Sequence, residues 1–476
     1  MKAKYEYRLG SVWSPVLNLH HGLILYLVGL FGWVVTVPLY GDTMTVWASQ
    51  HGISILLLSN CFLIAHAVSL ILTGMNLDHR PHRAVTIARL VPLGNALLLL
   101  LILFVPTWAW TSLFALMGIV TAFGMTVWGR WYATTVKTEW LGKTFALAAA
   151  GVAAFHGTFG VLVTYVPPAS LLPLSLLPLA LASLAIQKQK QPILPTVPSL
   201  PAQTRPLAER IRSGIRFGLF VCFFSVVAGL SDRFFVALPI SPLVQDFLRM
   251  APYIVGVLLS GIIADLSGLL WIMVVGAAVL AVSFLIGAWS SRPLITLLGL
   301  LFNGLAFGLL EPAPWLLLAS SCTEATAGRW FGWGLNLNVI PIFIGTVIAI
   351  PLGHITASHL GLLASFFILL AILFLHGTRD PLAALRRQYQ DSPNHPIDGT
   401  DIFTIKQFDL AFGGILSERE KEVGELAITG KSNQEIAELL FISENTVKFH
   451  LKNVFRKTGC ANRNDLYREI VRGKQQ

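Results

Sequence analysis

The sequence predicts an all-α protein in two parts: a polytopic membrane bundle of about twelve helices arranged six plus six, followed by a small soluble helical domain. Three observations predict it. The chain of 476 residues is 55% hydrophobic, above the share usual for soluble domains. Apolar runs of about 20 residues, the length that crosses a bilayer, recur through the first 376 positions. The charges divide sharply, with 19 Lys+Arg and 10 Asp+Glu in residues 1–376 against 15 and 14 in residues 377–476. The formal net charge of +10 therefore belongs almost wholly to the apolar part and bears on topology rather than on nucleic acid.

In chain order, the apolar runs start near Leu17, His51, Ala84, Thr107, Thr144 and Ala169, and again near Ile215, Asp246, Leu269, Pro293, Trp333 and His359. The first is long enough to span and lacks a small-residue cleavage site, so it reads as a membrane helix rather than a cleaved leader. Loop Lys and Arg set the orientation. With the N-terminus inside, sixteen of them (Lys2, Arg80, Arg130, Lys143 and Arg329 among them) fall on inner segments and three, Arg233, Arg249 and Arg292, on outer ones. An even number of spans returns the C-terminus to the cytoplasm of a bacterial-type inner membrane, where DNA is available. The four cysteines, Cys61, Cys222, Cys322 and Cys460, show neither disulfide nor zinc spacing.

Domain boundaries follow from composition. Residues 1–186 form the first membrane half. The Pro- and Lys/Arg-rich stretch 187–214 is a solvated linker, and 215–376 is the second half. The cluster Asp391, Ser392, Pro393, Asn394, Pro396 and Gly399 marks 377–415 as a second linker, leaving 416–476 as the soluble domain. The halves share an internal echo: "GMNLD" (Gly74 to Asp78) and "GIIAD" (Gly261 to Asp265) each follow the second span of their half.

This paired G-x-x-x-D resembles the loop motif of the major facilitator superfamily. The first copy, "GMNLDHRPHR", keeps Gly74, Asp78 and Arg83 with Pro81 where that family has Gly. The second, "GIIADLSG", keeps Gly261, Asp265 and Gly268 without the basic residues. The resemblance covers roughly residues 15–376 and implies two halves rocking about a central cavity.

Ionisable groups within spans cost several kcal/mol, about 2.5 to 3.5 by insertion measurements, so each is a candidate ligand site. Glu311, in "GLLEPAPW", stands foremost, because Pro312 and Pro314 free backbone carbonyls beside it. It is suited to a cation, a proton or an amine; the alternative is a protonated or paired carboxyl group. Asn303 and His156 are the further ligand candidates. For these two, and for His66, Asn60, Asn95, Asn336 and Asn338, the competing reading is interhelical hydrogen bonding. Asp232 and Arg233 read as the outer end of the seventh span. No catalytic triad, nucleotide loop or metal cluster stands out, so neither an enzyme, nor a cofactor, nor a metal is expected.

The soluble domain is punctuated by helix signals. Ser417 with Glu420 and Ser432 with Glu435 make S-x-x-E capping boxes. Gly430 and Gly459 are helix stops. Helices are expected over 418–429, 433–440, 444–457 and 463–472. In the third, Ser443 caps the start and Ile442 with Val447 has staple spacing. Val447, Leu451 and Val454 form an apolar face, while Lys448, Lys452 and Arg456 form a basic one. Such a stripe is either a solvated face or a major-groove reader. In the second case Lys448 donates to guanine, Phe449 touches a thymine methyl, and Asn445, Thr446 and the capped start hold phosphates.

The motifs of this domain resemble the LuxR-type helix-turn-helix. "LSEREKEV" (Leu416 to Val423) matches its opening, "GKSNQEIAELLFISENTVKFHLKNVFRKTG" (Gly430 to Gly459) its core, and "NRNDL" (Asn462 to Leu466) the start of its last helix. The resemblance implies double-stranded DNA as partner. It places Lys448, Phe449 and Lys452 at bases, Thr446 and Lys457 at the backbone, and a homodimer contact in the last helix. One departure is Gly424, where Leu is usual; Gly costs a helix about 1 kcal/mol relative to Ala and is expected to forfeit core burial. The chain thus reads as a membrane-bound regulator whose bundle, embedded in the lipid bilayer, senses an unidentified small molecule. The alternatives are a transporter with a regulatory tail and a helix-turn-helix used for protein contact.

Overall fold

Inside a bilayer every backbone N–H and C=O must be satisfied within the protein, which leaves helices as the economical solution for isolated apolar runs. The computed structural model follows this rule. It describes residues 9–39, 41–187, 207–234, 242–289, 293–323, 325–349, 357–375, 408, 411–412, 414–428, 433–440, 442–463, 465–466 and 469, and these contain no strand. Two compact units are formed, Met1–Arg386 and Arg387–Gln476.

The first half of the bundle comprises α1 (Leu9–Thr36), α2 (Asp42–Gln50), α3 (Ile55–His79), α4 (Ala84–Leu101), α5 (Trp110–Thr135), α6 (Leu141–Tyr165), α7 (Pro168–Leu174) and α8 (Leu177–Gln187). The second comprises α9 (Leu207–Phe234), α10 (Pro242–Ser267), α11 (Leu270–Trp289), α12 (Pro293–Leu310), α13 (Pro312–Ser321), α14 (Ala327–Gly334), α15 (Asn336–Ala349) and α16 (Ala357–Leu375). Among the described residues eleven helices or helix pairs are long and apolar enough to cross a membrane, and a twelfth, His359–Leu375, is apolar but shorter. The chain is a multi-pass membrane protein.

Two boundaries differ from expectation. The seventh span enters its helix at Leu207 rather than Ile215, so a helix occupies part of the stretch assigned to the central linker. The eleventh starts at Ala327 rather than Trp333, because a carboxylate caps its first turn. Residues 188–206, 376–407 and the side chains of Asp232 and Arg233 lie outside the described residues.

That cap belongs to a seam between the halves. Asp78, at the end of α3, accepts from the Gly328 N–H at 2.7 Å and the Arg329 N–H at 2.9 Å, both in the first turn of α14. Asp265, at the end of α10, accepts from the Gly142 and Lys143 N–H groups at 2.7 and 2.8 Å, in the first turn of α6. The two echoed aspartates thus perform the same act in opposite directions: each half caps a helix of the other, where carboxylate charge meets the positive end of the helix dipole. Arg130 Nη1 (3.3 Å) and Arg329 Nε (3.1 Å) neutralise Asp78. A Cβ at Gly74 would stand 2.5 Å from the Gly328 carbonyl oxygen, so only glycine lets α3 and α14 approach this closely. The seam continues to Asn336, whose Nδ2 donates to the Ala67 carbonyl at 3.1 Å.

Aromatic rings fill the same region. Trp315 packs on Phe145 with centroids 5.2 Å apart and meets Trp128 edge-on at 5.4 Å, and Trp128 stacks on Tyr132 at 4.9 Å. Phe331 lies 6.4 Å from Trp315. These five residues come from α5, α6, α13 and α14, two helices of each half, and form a plug across the seam.

The soluble unit holds α17 (Glu418–Ile428), α18 (Asn433–Leu440) and α19 (Glu444–Thr458). The helix expected over 463–472 and the Ser432–Glu435 box fall largely outside the described residues. Val423, Ala427, Ile436, Ala437, Val447 and Leu451 form one core, and Phe408, Phe412, Leu416, Ile428, Val454, Cys460 and Leu466 a second. Phe408 and Phe412, assigned above to a linker, are therefore core residues. Gly424 is corrected with them: its site is not empty, because the Phe408 ring sits where a side chain would, its Cζ 2.5 Å from the position of a Cβ. The ring arrives from upstream because the helix position beneath it carries nothing.

Candidate functional site

The sequence forms α19 in this register for reasons visible at both ends. At the start, the Ser443 side chain accepts from the Thr446 N–H at 3.1 Å, and the two hydroxyls lie 2.7 Å apart. At the end, Gly459 adopts the left-handed conformation (φ 72°) that closes helices and that glycine enters without steric cost. Between them Val447, Leu451 and Val454 are buried, and Ile442 packs into the core that contains Val447.

The opposite face is presented outward. Asn445, Lys448, Lys452 and Arg456 are exposed, and Phe449 is 62% exposed between the two lysines. A large aromatic left in water beside cations is unusual for a face with no partner, and it fits contact with a base edge. Lys448 Nζ pairs with Glu444 Oε1 at 2.9 Å, an exposed i,i+4 pair worth a few tenths of a kcal/mol, so the lysine is readily released to a stronger anion.

Lys457 behaves differently from its expected phosphate role. Its ammonium lies 2.6 Å from Glu420 Oε2, and that carboxylate is 8% exposed. Glu420 also accepts from the Ser417 N–H at 2.8 Å, while Ser417 Oγ accepts from the Glu420 N–H at 3.4 Å. The capping box of α17 and the last turn of α19 are thereby joined, and Lys457 is a positioning group. The Lys457 ammonium, followed by the Ser417 N–H, holds the Glu420 carboxyl down at about 2, well below the ordinary carboxylate value. Arg419 closes the far end of α18, donating from Nη2 to the Leu440 carbonyl at 2.7 Å. Arg463 donates to Asn433 Oδ1, which ties the start of α18 to the segment after α19.

Among the membrane candidates, Asn303 and Glu311 recur on one face of the tenth span with Phe307 and Trp315, at four-residue spacing. Asn303 Oδ1 accepts from Ser231 Oγ at 3.4 Å, while its buried Nδ2 finds no partner. Glu311 keeps helical backbone angles, and its N–H reaches the Phe307 carbonyl at 2.8 Å, so the expected break is a single residue between α12 and α13. His156, on α6, is half-buried with Nδ1 unpartnered. Among the described residues no hydrogen bond or ion pair joins His156 to Asn303 or Glu311. The interhelical reading holds for others: His66 Nδ1 lies 3.1 Å from the Gly118 carbonyl, Asn95 donates to Thr121 at 3.0 Å, and Ser225 donates to Asn338 at 2.6 Å.

Three features were missed in the sequence: the crossed caps made by Asp78 and Asp265, the Glu420–Lys457 pair, and Phe408. The last carried a signal, Phe408 and Phe412 at i and i+4 among the apolar residues that recur from Ile402 to Leu416.

Residues 414–470 match the family described as bacterial regulatory proteins, luxR family. The spore germination protein GerE of Bacillus subtilis is 43% identical over 68 residues, which are 14% of this chain and 92% of that protein. The CsgBAC operon transcriptional regulatory protein of Escherichia coli is 55% identical over 57 residues, 12% of this chain and 26% of that one; this chain spans about a quarter of that relative. The bundle resembles the major facilitator superfamily proton:xylose symporter XylE, with a TM-score of 0.56 at 15% identity over 79% of this chain and 99% of that one. That likeness is one of fold. The matches point to a regulator joined to a transporter-like fold rather than to an enzyme family.

Proposed function

This chain belongs, through its C-terminal domain, to the luxR family of bacterial regulatory proteins, and from that premise we propose that it regulates transcription from the membrane and that its transporter-like bundle senses a small molecule. The observation that carries the DNA-reading role is α19: one face is locked into the core, and the other offers Lys448, Phe449, Lys452 and Arg456 to the groove. Asn445, Thr446 and the Ser443-capped start are suited to phosphate contacts. Pairing of two such domains through the last helix suits an inverted-repeat operator. The excess of Lys and Arg on one set of loops supports an orientation with both termini in the cytoplasm of a bacterial inner membrane and the crossed caps at the cytoplasmic end. A ligand shifts such a bundle only through different affinity for its two states, and the caps are what the second state has to exchange.

The test is a genome-wide map of DNA bound by the full-length protein in its native membrane, beside Lys448→Ala/Lys452→Ala. Discrete sites that vanish in the double variant are expected. No sites above that control across several growth conditions would overturn direct DNA regulation and favour the transporter with a regulatory tail, which solute accumulation by the purified protein in vesicles would then establish.

A further inference from the structure

The tenth span carries a carboxyl group, Glu311, that makes no ion pair among the described residues, beside the apolar side chains of Phe307 and Trp315. Glu311 is half-buried in the bundle. Its surroundings share one chemistry. Pro312 and Pro314 have no N–H to offer the Gly308 and Leu310 carbonyls, so the carboxylate stands among acceptors. The buried Trp315 Nε1–H is directed at the Glu311 carboxyl group. Two turns away the Asn303 amide is fully buried with Nδ2 unpartnered. Phe307 and Trp315 flank Glu311 on the same helix face, and Trp315 is held rigid by Phe145 and Trp128. Glu311 precedes Trp315 on a span running inward, which places it on the outer side of the aromatic plug.

We propose that Glu311, beside the partly exposed Phe307 ring, forms a site for an organic ammonium ion bearing an aromatic or apolar body. This rests on the sensing reading above and names the class of molecule sensed. A carboxylate deep in the membrane supplies the counter-charge, and aromatic rings attract a cation on their faces, most strongly when it is desolvated. A divalent metal fits poorly: it needs several oxygen ligands, and no group of three or more His, Cys, Asp or Glu is assembled among the described residues. An anion is excluded by the carboxylate itself. The unpartnered Asn303 donor serves a polar acceptor elsewhere on the same molecule.

The experiment uses the purified full-length protein in lipid nanodiscs and two probes of one shape, benzyltrimethylammonium and its neutral carbon isostere neopentylbenzene, with binding followed by calorimetry and tryptophan fluorescence. Saturable binding of the ammonium at least tenfold tighter than the isostere is expected. Glu311→Gln should weaken the ammonium tenfold or more without changing the isostere, and Glu311→Asp should recover most of the affinity. Equal binding of the two probes by the wild-type protein, absence of saturable ammonium binding, or unchanged affinity in Glu311→Gln would overturn the site. The charge preference is read in the wild-type protein, so a variant that fails to fold leaves the test intact. DNA occupancy measured on the same samples separates the two readings. Ammonium binding that leaves occupancy unchanged keeps the site and removes the sensing role, whereas ligand-dependent occupancy that survives Glu311→Gln keeps sensing and removes the site.

Discussion

Replacing Phe408 with Ala tests whether the segment before the helix-turn-helix is part of its fold. The ring is fully buried and fills the space above Gly424. Truncating a buried Phe to Ala costs about 3 to 5 kcal/mol, transfer and cavity terms together. A small domain near the low end of native stability has roughly 5 kcal/mol in total, so the loss is comparable to the whole. The assay is urea denaturation of residues 387–476, which form a compact unit with two cores of their own, followed by circular dichroism. With a slope of about 1 to 2 kcal/mol per molar urea, the midpoint should fall by about 2 M or more, or the variant should be unfolded in buffer. The partner substitution gives the sharper test. Gly424→Leu alone should destabilise the domain, because a Cβ there meets the Phe408 ring at 2.5 Å and overpacking costs about 1 to 3 kcal/mol. Combined with Phe408→Ala, the same leucine should stabilise, since it occupies the vacated space and removes the helix cost of glycine. The coupling should reach about 2 kcal/mol. A cost below about 1 kcal/mol for Phe408→Ala, or a leucine equally harmful in both backgrounds, would refute the reasoning.

Acid should weaken the same domain through Glu420. Its carboxyl is held at about 2 by Lys457 and Ser417; a depressed value means the contribution is present above about 4.5 and lost as pH falls toward 2. Because Lys457 is partly solvated, the contribution at neutral pH should be on the order of 1 kcal/mol, and Glu420→Gln should show a flatter fall in denaturation midpoint between pH 4.5 and 2. In the membrane unit, Asp78→Asn and Asp265→Asn each leave a cap one acceptor oxygen short, and both should raise cysteine accessibility along the seam, the double variant most. Equal accessibility in wild type and double variant would mean that the caps do not hold the halves together. In DNA binding, Lys448→Ala and Lys452→Ala should each lower the salt slope of affinity by about 1 if the lysine meets a phosphate, whereas a change in sequence preference marks a base contact.

Much of this architecture was legible in the sequence because it rests on local chemistry. The twelve apolar runs were visible because a span needs continuous hydrophobicity. The ends of α19 were visible because Ser443 and Gly459 cap by their own conformational preferences. The two faces of α19 followed from its period. What the sequence hid was contact between distant positions. Asp78 and Gly328 are 250 residues apart, and neither announces the other; the echo of Gly74 and Asp78 at Gly261 and Asp265 showed that the halves repeat, but not that each repeat caps a helix of its counterpart. Lys457 read only as a phosphate contact, and its pairing with Glu420 was not legible. Gly424 read as a defect because its hydrophobic complement, Phe408, lies upstream and outside the helix. The sequence by itself determined which segments are helices, which of them cross the membrane and which face of the last long one is basic, since these depend on each residue and its near neighbours. Only the tertiary structure decided which charges are already paired and which glycines are filled from elsewhere, because burial and pairing belong to the space around a side chain and not to its place in the chain.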